Sequence, residues 1–368
     1  MIGIAIIGCG GIALANHMPG IALRQDAAKL VAVCDNNPAV LEKARQQTGV
    51  TAFSDYNELL KREDVHAVVV ATPNFLHAPI AIAAARAGKH VLVEKPLAMN
   101  LTEAMSMYQA AEKAGVRHMT AFTYRFVPAM RYMVQLMKDG YVGRPYHFRA
   151  QRFQDWGQRP IGWRQVQKLT GTGELGDMLA HRIDYGNFLI GPIKRLVADM
   201  KIFLPERQGQ PANVDDWVAM MTEYRNGVTG VMESSKLVSG IGEDRRGRDV
   251  AEVNGTEGSI VYTTQKPLEI QLGKVGDLEL KTVKIPKEFY KLPTSPRDPA
   301  VGEPVVTFRW DQSVEFIDAI VEKRQCRPSF LDGCRVQAVM DAAVVSTEKR
   351  KWVDVPEIDG PGDRPVIS

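Results

Sequence analysis

The chain has 368 residues, enough for two domains that each bury a core. Lys and Arg number 46 against 43 Asp and Glu, a net charge of +3 that lacks the basic stripe of a nucleic-acid binder. Cys9, Cys34, Cys326 and Cys334 show neither CxxC spacing nor a His/Cys cluster, so no metal and no disulfide framework is expected. No apolar run reaches membrane-spanning length. Met1 to Leu23 is apolar and Ala13-Leu14-Ala15 resembles a cleavage site, but a basic n-region is missing and glycines interrupt the run. The expectation is a soluble cytoplasmic protein without membrane or nucleic-acid partners. The charge run Glu243 to Asp249 mixes signs after glycines and predicts a solvated loop able to line a site entrance.

Ile2 to Ile7 predicts a buried strand, followed at once by Gly8-Cys9-Gly10-Gly11-Ile12-Ala13 and a helix from Leu14 to Arg24. In this G-x-G-x-x-A pattern Gly8 permits the tight turn and Gly10 lets backbone approach a pyrophosphate. Ala13 lets helix pack close to strand, and amides at the helix start face the phosphates. Gly11 lies in the same turn. A second strand, Lys29 to Cys34, ends in Asp35, placed to accept hydrogen bonds from ribose hydroxyls and to repel a 2′-phosphate. NAD is therefore expected over NADP. Asp35 could also cap the helix beginning near Pro38.

The alternation continues with a helix at Tyr56 to Lys61 and a strand at Ala67 to Ala71 that ends in the turn Thr72-Pro73-Asn74. His77 to Ala87 predicts an amphipathic helix closed by Gly88. His77 reads as a helix-start residue, with a place beside the nicotinamide pocket as the sharper alternative. The strand Val91–Val93 runs abruptly into Glu94-Lys95-Pro96, as a central parallel strand does when it delivers polar groups to its C-terminal edge. A helix from Leu101 to Ala114, Gly115 and a strand from Val116 to Ala121 complete repeated βα units. These predict an α/β Rossmann fold, a doubly wound parallel sheet, over residues 1–122.

Residues 123–368 predict an α+β domain with a large, mostly antiparallel open sheet. Tyr124-Arg125-Phe126 precedes a helix from Ala129 to Lys138, and Tyr146 to Phe153 reads as a strand. Strands dominate from Ile193 to Val283, with hairpin turns at Asn226-Gly227, Asn254-Gly255 and Glu257-Gly258. Two late helices, Gln312 to Lys323 and Asp332 to Lys351, are expected to pack back on the first domain. Between Gly171 and Asp184, glycines open a helix on which Asp177 and His181 share a face, with Asp184 beside them. Such an Asp–His pair can orient an imidazole and stabilise its charged form; a helix cap and a partly buried histidine is the plainer reading.

Taken together, Gly8-x-Gly10-x-x-Ala13, Ala71-Thr72-Pro73-Asn74 with His77, the run Gly88 to Pro96, Tyr124-Arg125-Phe126 and Asp177-x-x-x-His181-x-x-Asp184 resemble the Gfo/Idh/MocA oxidoreductases over nearly the whole chain. The resemblance implies a Rossmann domain followed by an open sheet whose outer face makes the contacts of a homodimer or homotetramer. It implies that Lys95, Asp177 and His181 line the substrate site, and that the Lys95–Pro96 peptide is cis. Leu179 is a departure, since many relatives carry glycine there.

The activity expected is reversible hydride transfer between NAD and a secondary alcohol of a sugar or cyclitol. His181 would act as general base, Asp177 would orient it, and Lys95 would stabilise developing alkoxide charge or itself carry the proton. Gly8, Gly10, Gly11, Ala13, Asp35, Thr72, Pro73, Asn74, His77, Glu94 and Lys95 are the expected cofactor residues. Tyr124, Arg125, Trp156, Trp163, Arg164 and Asp184 are candidate substrate contacts, though the aromatics would serve a core or an oligomer interface as well. Two other activities fit the same residues: transient oxidation by NAD that permits elimination from a glycoside, and ligand sensing without chemistry.

Overall fold

In the computed structural model, which describes residues 1–242 and 247–360, the first six strands are short. They are β1 (Ile2–Ile7), β2 (Ala28–Cys34), β3 (Thr51–Phe53), β4 (Ala67–Val70), β5 (His90–Val93) and β6 (His118–Thr120). All pair in parallel in the order β3-β2-β1-β4-β5-β6. β1, β4 and β5 are mostly aliphatic and buried along nearly their whole length, as strands covered on both faces must be. The order reverses between β1 and β4, which opens a crevice beyond their C-terminal ends.

Hydrogen bonds carry the ladder one residue past each strand. Ala71 N–H donates to the Ile7 carbonyl at 2.8 Å and Glu94 N–H to the Val70 carbonyl at 2.9 Å, so the residues that follow leave from a fixed edge. The side chain of Asn37 caps the helix Pro38–Thr48, and that of Asn100 caps Leu101–Ala114, which ends at left-handed Gly115. The helix expected from Leu14 to Arg24 is instead a wide π-helical turn, Ala13–His17, followed by an α-helix, Met18–Ala22. β3 has only three residues, too few to show a period in sequence.

Packing divides the chain into two compact units. The first joins Met1–Thr123 with Lys291–Cys334, whereas a boundary at residue 122 assigns that late segment to the second half. Within this unit the helix Asp311–Val321 lies close against Met18–Ala22. A Cβ on Gly20 would stand 2.7 Å from Ser313 Oγ, so only glycine fits there. Trp310 Nε1 donates to the Ala15 carbonyl at 2.9 Å, and Arg24 pairs with Asp318.

The second unit, Tyr124–Tyr290 with Arg335–Ser368, is built on a sheet of nine strands. Its strands are β7 (Pro145–Phe153), β8 (Ile193–Lys201), β11 (Trp217–Tyr224), β12 (Thr229–Ser235), β13 (Arg248–Gly255), β14 (Gly258–Thr263), β15 (Glu269–Lys274), β16 (Lys281–Lys284) and β17 (Val353–Asp354). A separate ribbon pairs β9 (Glu206–Arg207) with β10 (Gln210–Pro211). The order is β16-β15-β14-β13-β7-β12-β11-β8-β17, and every pair except β7 with β12 is antiparallel. Burial alternates along β7, β11 and β13, the mark of a sheet covered on one face. The helix Ala180–Leu189 supplies the cover. A Cβ on its Gly186 would lie 2.3 Å from the Tyr224 hydroxyl and 3.3 Å from the Phe148 ring.

Of the mixed charge run, residues 243–246 lie outside the described residues. The solvated-loop expectation does not hold for the end of the run: Arg248 and Asp249 belong to β13, and Asp249 is fully buried and paired with fully buried Arg182. A carboxylate in a strand of mixed charge looks solvated until tertiary packing brings it a partner.

Candidate active site

At the end of β1, Gly8 adopts a φ of +92°, and a Cβ there would stand 2.6 Å from the Ala71 carbonyl and 2.7 Å from Thr72 N. The end of β4 passes so close that only glycine can make this turn. In front of Gly10 and Gly11 the situation is reversed, with nothing within 4 Å of where a Cβ would stand, so their backbone is open to a ligand. Ala13 is fully buried under the π-helical turn. Asp35, at the end of β2, accepts Cys9 N–H and Asn37 N–H, each at 2.8 Å. It ties the glycine turn to β2 and is not the helix cap, a place Asn37 takes.

At the end of β4, Thr72 Oγ1 is buried with no partner among the described residues. His77 is fully buried, and its ring bridges two carbonyls, Pro96 O at 2.9 Å from Nδ1 and Thr72 O at 3.0 Å from Nε2. Burial holds its pKa below the usual histidine value, so the neutral ring donates to one carbonyl at a time. That makes His77 a brace between the turn after β4 and the turn after β5. Asn74 and Pro73 lie in the braced turn, with Asn74 buried.

β5 delivers Glu94 and Lys95, both half-buried, and the Lys95–Pro96 peptide is cis. His17, fully buried at the end of the π-helical turn, stands with Nε2 2.8 Å from Glu94 Oε1. Burial raises the Glu94 pKa, but the His17 contact and the charge of Lys95 outweigh it, and the carboxyl stays below its ordinary value. Sequence reasoning missed His17. Its only signal was its place four residues after Ala13, one turn into the segment that follows the glycines.

In the second unit, the expected helix around Asp177 begins as a π-helical turn, Leu175–Leu179, and continues as the α-helix Ala180–Leu189. Gly173 opens it because a Cβ there would lie 2.0 Å from the Asp215 carbonyl oxygen. The Asp215 carboxylate accepts Gly173 N–H at 2.6 Å and Leu175 N–H at 2.8 Å, pinning the start of the turn. Asp177 is half-buried with Arg164 Nε 3.7 Å from Oδ1, and the Arg164 guanidinium stacks 4.3 Å from the Trp163 ring centre. His181 is buried, with the Tyr124 ring set edge-on 4.6 Å away. Leu179 is fully buried between them in sequence.

The remaining candidates divide. Trp156 is half-buried beneath Arg159, whose guanidinium lies 4.9 Å from its ring centre. Arg125 and Asp184, both expected substrate contacts, face each other in a buried bidentate pair, with Nε to Oδ2 at 2.8 Å and Nη2 to Oδ1 at 2.6 Å. They brace the helix that carries His181. Among the described residues no cluster of His, Cys, Asp or Glu could hold a metal, and no helix is long and apolar enough to cross a membrane.

A glycine turn at the switch point of a 3-2-1-4-5-6 sheet, open in front and faced by an acid at the end of β2, defines a dinucleotide-binding oxidoreductase fold. The chain belongs to the Gfo/Idh/MocA family: residues 2–122 match its "Oxidoreductase family, NAD-binding Rossmann fold" model and residues 130–261 its C-terminal domain model. It is 34% identical over 357 residues to levoglucosan dehydrogenase of Pseudarthrobacter phenanthrenivorans, covering 89% of each chain. It is 32% identical over 191 residues to 2,7-anhydro-N-acetylneuraminate hydratase of Mediterraneibacter gnavus, covering 52% of this chain and 50% of that one. A solved levoglucosan dehydrogenase in complex with NADH and levoglucosan superposes with a TM-score of 0.88 at 33% identity, covering 97% of this chain and 100% of the other.

Proposed function

We propose that this protein catalyses reversible hydride transfer between NAD and a secondary alcohol of a sugar or cyclitol. The observation that carries the reading is the end of β5, where a fixed sheet edge beside the switch point presents Glu94, Lys95 and a cis proline. The likeness to levoglucosan dehydrogenase supports the substrate class. The bound nicotinamide supplies the hydride chemistry, and the glycine turn, Asp35 and the Thr72 hydroxyl are the groups that would hold the dinucleotide.

His181 takes the hydroxyl proton as the carbon gives up hydride, and buried packing against Tyr124 keeps its ring in one orientation. Asp177 stabilises the resulting imidazolium. Lys95, as an ammonium, donates to the reacting oxygen and stabilises the alkoxide charge that develops there. Trp163 with Arg164, and Trp156, offer stacking faces and donors for a ring of hydroxyls. The protein acts as a homo-oligomer in this reading, through the outer sheet face where Met221 is 54% exposed beside Val197 and Val231.

A panel of sugars and cyclitols, each tried with NAD and with NADP, tests the reading by absorbance of the reduced cofactor. Reduction of NAD by at least one member is expected, and its absence across the panel overturns the proposal. Asp35→Ala should weaken NAD binding by roughly tenfold to a hundredfold, the cost of losing hydrogen bonds to a charged acceptor, with NADP binding little changed. Equal losses for both dinucleotides would show that Asp35 only shapes the turn. The hydratase among the relatives favours one second reading, oxidation by NAD followed by elimination and return of the hydride, with no net NADH.

A further inference from the structure

We propose that Glu174 is a neutral carboxylic acid that positions Asp177, so that one ionised carboxylate, and not two, stands at the start of the helix carrying His181. This rests on the reading of Asp177 and His181 as the proton-handling pair. The argument begins with a count of hydrogens. Glu174 is fully buried, and its Oε2 lies 2.6 Å from Ser234 Oγ. The same Ser234 Oγ lies 3.0 Å from the Arg152 carbonyl oxygen. A hydroxyl has one hydrogen and a carbonyl has none, so both contacts can be hydrogen bonds at once only if Ser234 donates to Arg152 and the shorter contact takes its hydrogen from Glu174. The second oxygen, Oε1, is buried with no partner among the described residues, tolerable for the carbonyl oxygen of an acid and costly for a carboxylate.

The charges packed around it lead to the same state. Asp215 and Asp216 approach from the loop before β11, Lys236 from the residue after β12, and Arg207 from β9. Lys236 Nζ donates to the Asp215 carbonyl at 3.0 Å and stands 3.5 Å from Asp216 Oδ1, while Arg207 Nη2 is 2.9 Å from that oxygen. Both cations thus converge on the Asp216 carboxylate, while the Asp215 carboxylate is held by backbone N–H groups and the buried Arg152 of β7 donates to Gln154 Oε1 at 3.1 Å. Asp177, on the same turn, adds a negative charge. Burial first and Asp177 second push the Glu174 carboxyl up to about 8, against the opposing pull of Lys236. Ionisation would draw the Ser234 hydrogen away from the Arg152 carbonyl and make Asp177 share its turn with a second charge.

Glu174→Gln keeps the shape, stays neutral and still has N–H groups to donate to Ser234. Infrared difference spectra of wild type minus this variant at neutral pH should show the carbonyl stretch of a protonated acid, and in wild type alone that band should fade as pH rises through about 8. Absence of the band overturns the assignment. A folded-state value raised above the unfolded one confers stability that is present at low pH and lost as pH rises toward about 8. The melting temperature of wild type should therefore fall relative to Glu174→Gln over that interval, and a constant gap counts against the proposal. With a substrate in hand, kcat/KM of wild type should drop by about tenfold from neutral to alkaline pH, and the variant should lose that limb. Superimposable profiles, with the infrared band present, would overturn the positioning role alone. Undiminished turnover in variants of Lys95 and His181 would instead remove the underlying reading while leaving the band and the melting shift in place.

Discussion

Replacing Lys95 with Met should lower turnover by about a hundredfold to a thousandfold, the usual cost of removing a charge aimed at a developing oxyanion. Methionine keeps the length and most of the volume of the side chain, so what is lost is the ammonium. His181→Ala should cost roughly a hundredfold to ten-thousandfold, the range for a missing general base. NAD affinity should change far less than turnover in both, because the glycine turn and Asp35 are untouched. Turnover numbers and a fluorescence titration with NAD measure the two quantities separately. If the two residues serve one proton transfer, their effects should be strongly non-additive in the double variant. Undiminished turnover in both single variants would remove the mechanism.

The second large effect is on stability. Asp184→Ala leaves the Arg125 guanidinium buried without the carboxylate that now meets it through two hydrogen bonds. Removing one partner of such a pair costs about 3 to 5 kcal/mol, far more than the pair gains the fold in net terms, because an uncompensated buried charge remains. Urea denaturation should show the loss as a lower midpoint at similar slope. Converting both residues to apolar side chains of similar size, Arg125→Met with Asp184→Leu, should recover most of it. A loss below about 1 kcal/mol in Asp184→Ala would mean that Arg125 finds solvent or another acceptor.

The parts of this molecule that a sequence displays are those set by local rules. β1 with its glycine turn, β5 with its abrupt polar end, and helices closed by Gly88 and Gly115 all follow from short-range sterics and period. The polar helix from Asp177 to Asp184 could be found for the same reason. Roles set by distant packing were not legible. Asp249 sat in a run that reads as solvent-facing, yet β13 carries it into the core against Arg182. Asp184 shares a helix with His181, and its buried pairing with Arg125, 59 residues away, had no signal in the sequence. His77 turned inward to brace two loops, and His17 reached Glu94 across more than seventy residues. The π-helical turns at Ala13–His17 and Leu175–Leu179 leave no period to detect, since each is a single widened turn. Both fall in segments the proposed chemistry uses, where such turns are often found.

The most direct test of the central claim is the stoichiometry of a single turnover, with enzyme and NAD in excess over the best substrate of the panel. Hydride transfer from a secondary alcohol should leave one NADH for each ketone formed, and the NADH should persist until a carbonyl compound is added to take the hydride back. Product that accumulates while no NADH remains would contradict the account and establish elimination through a transient oxidation instead.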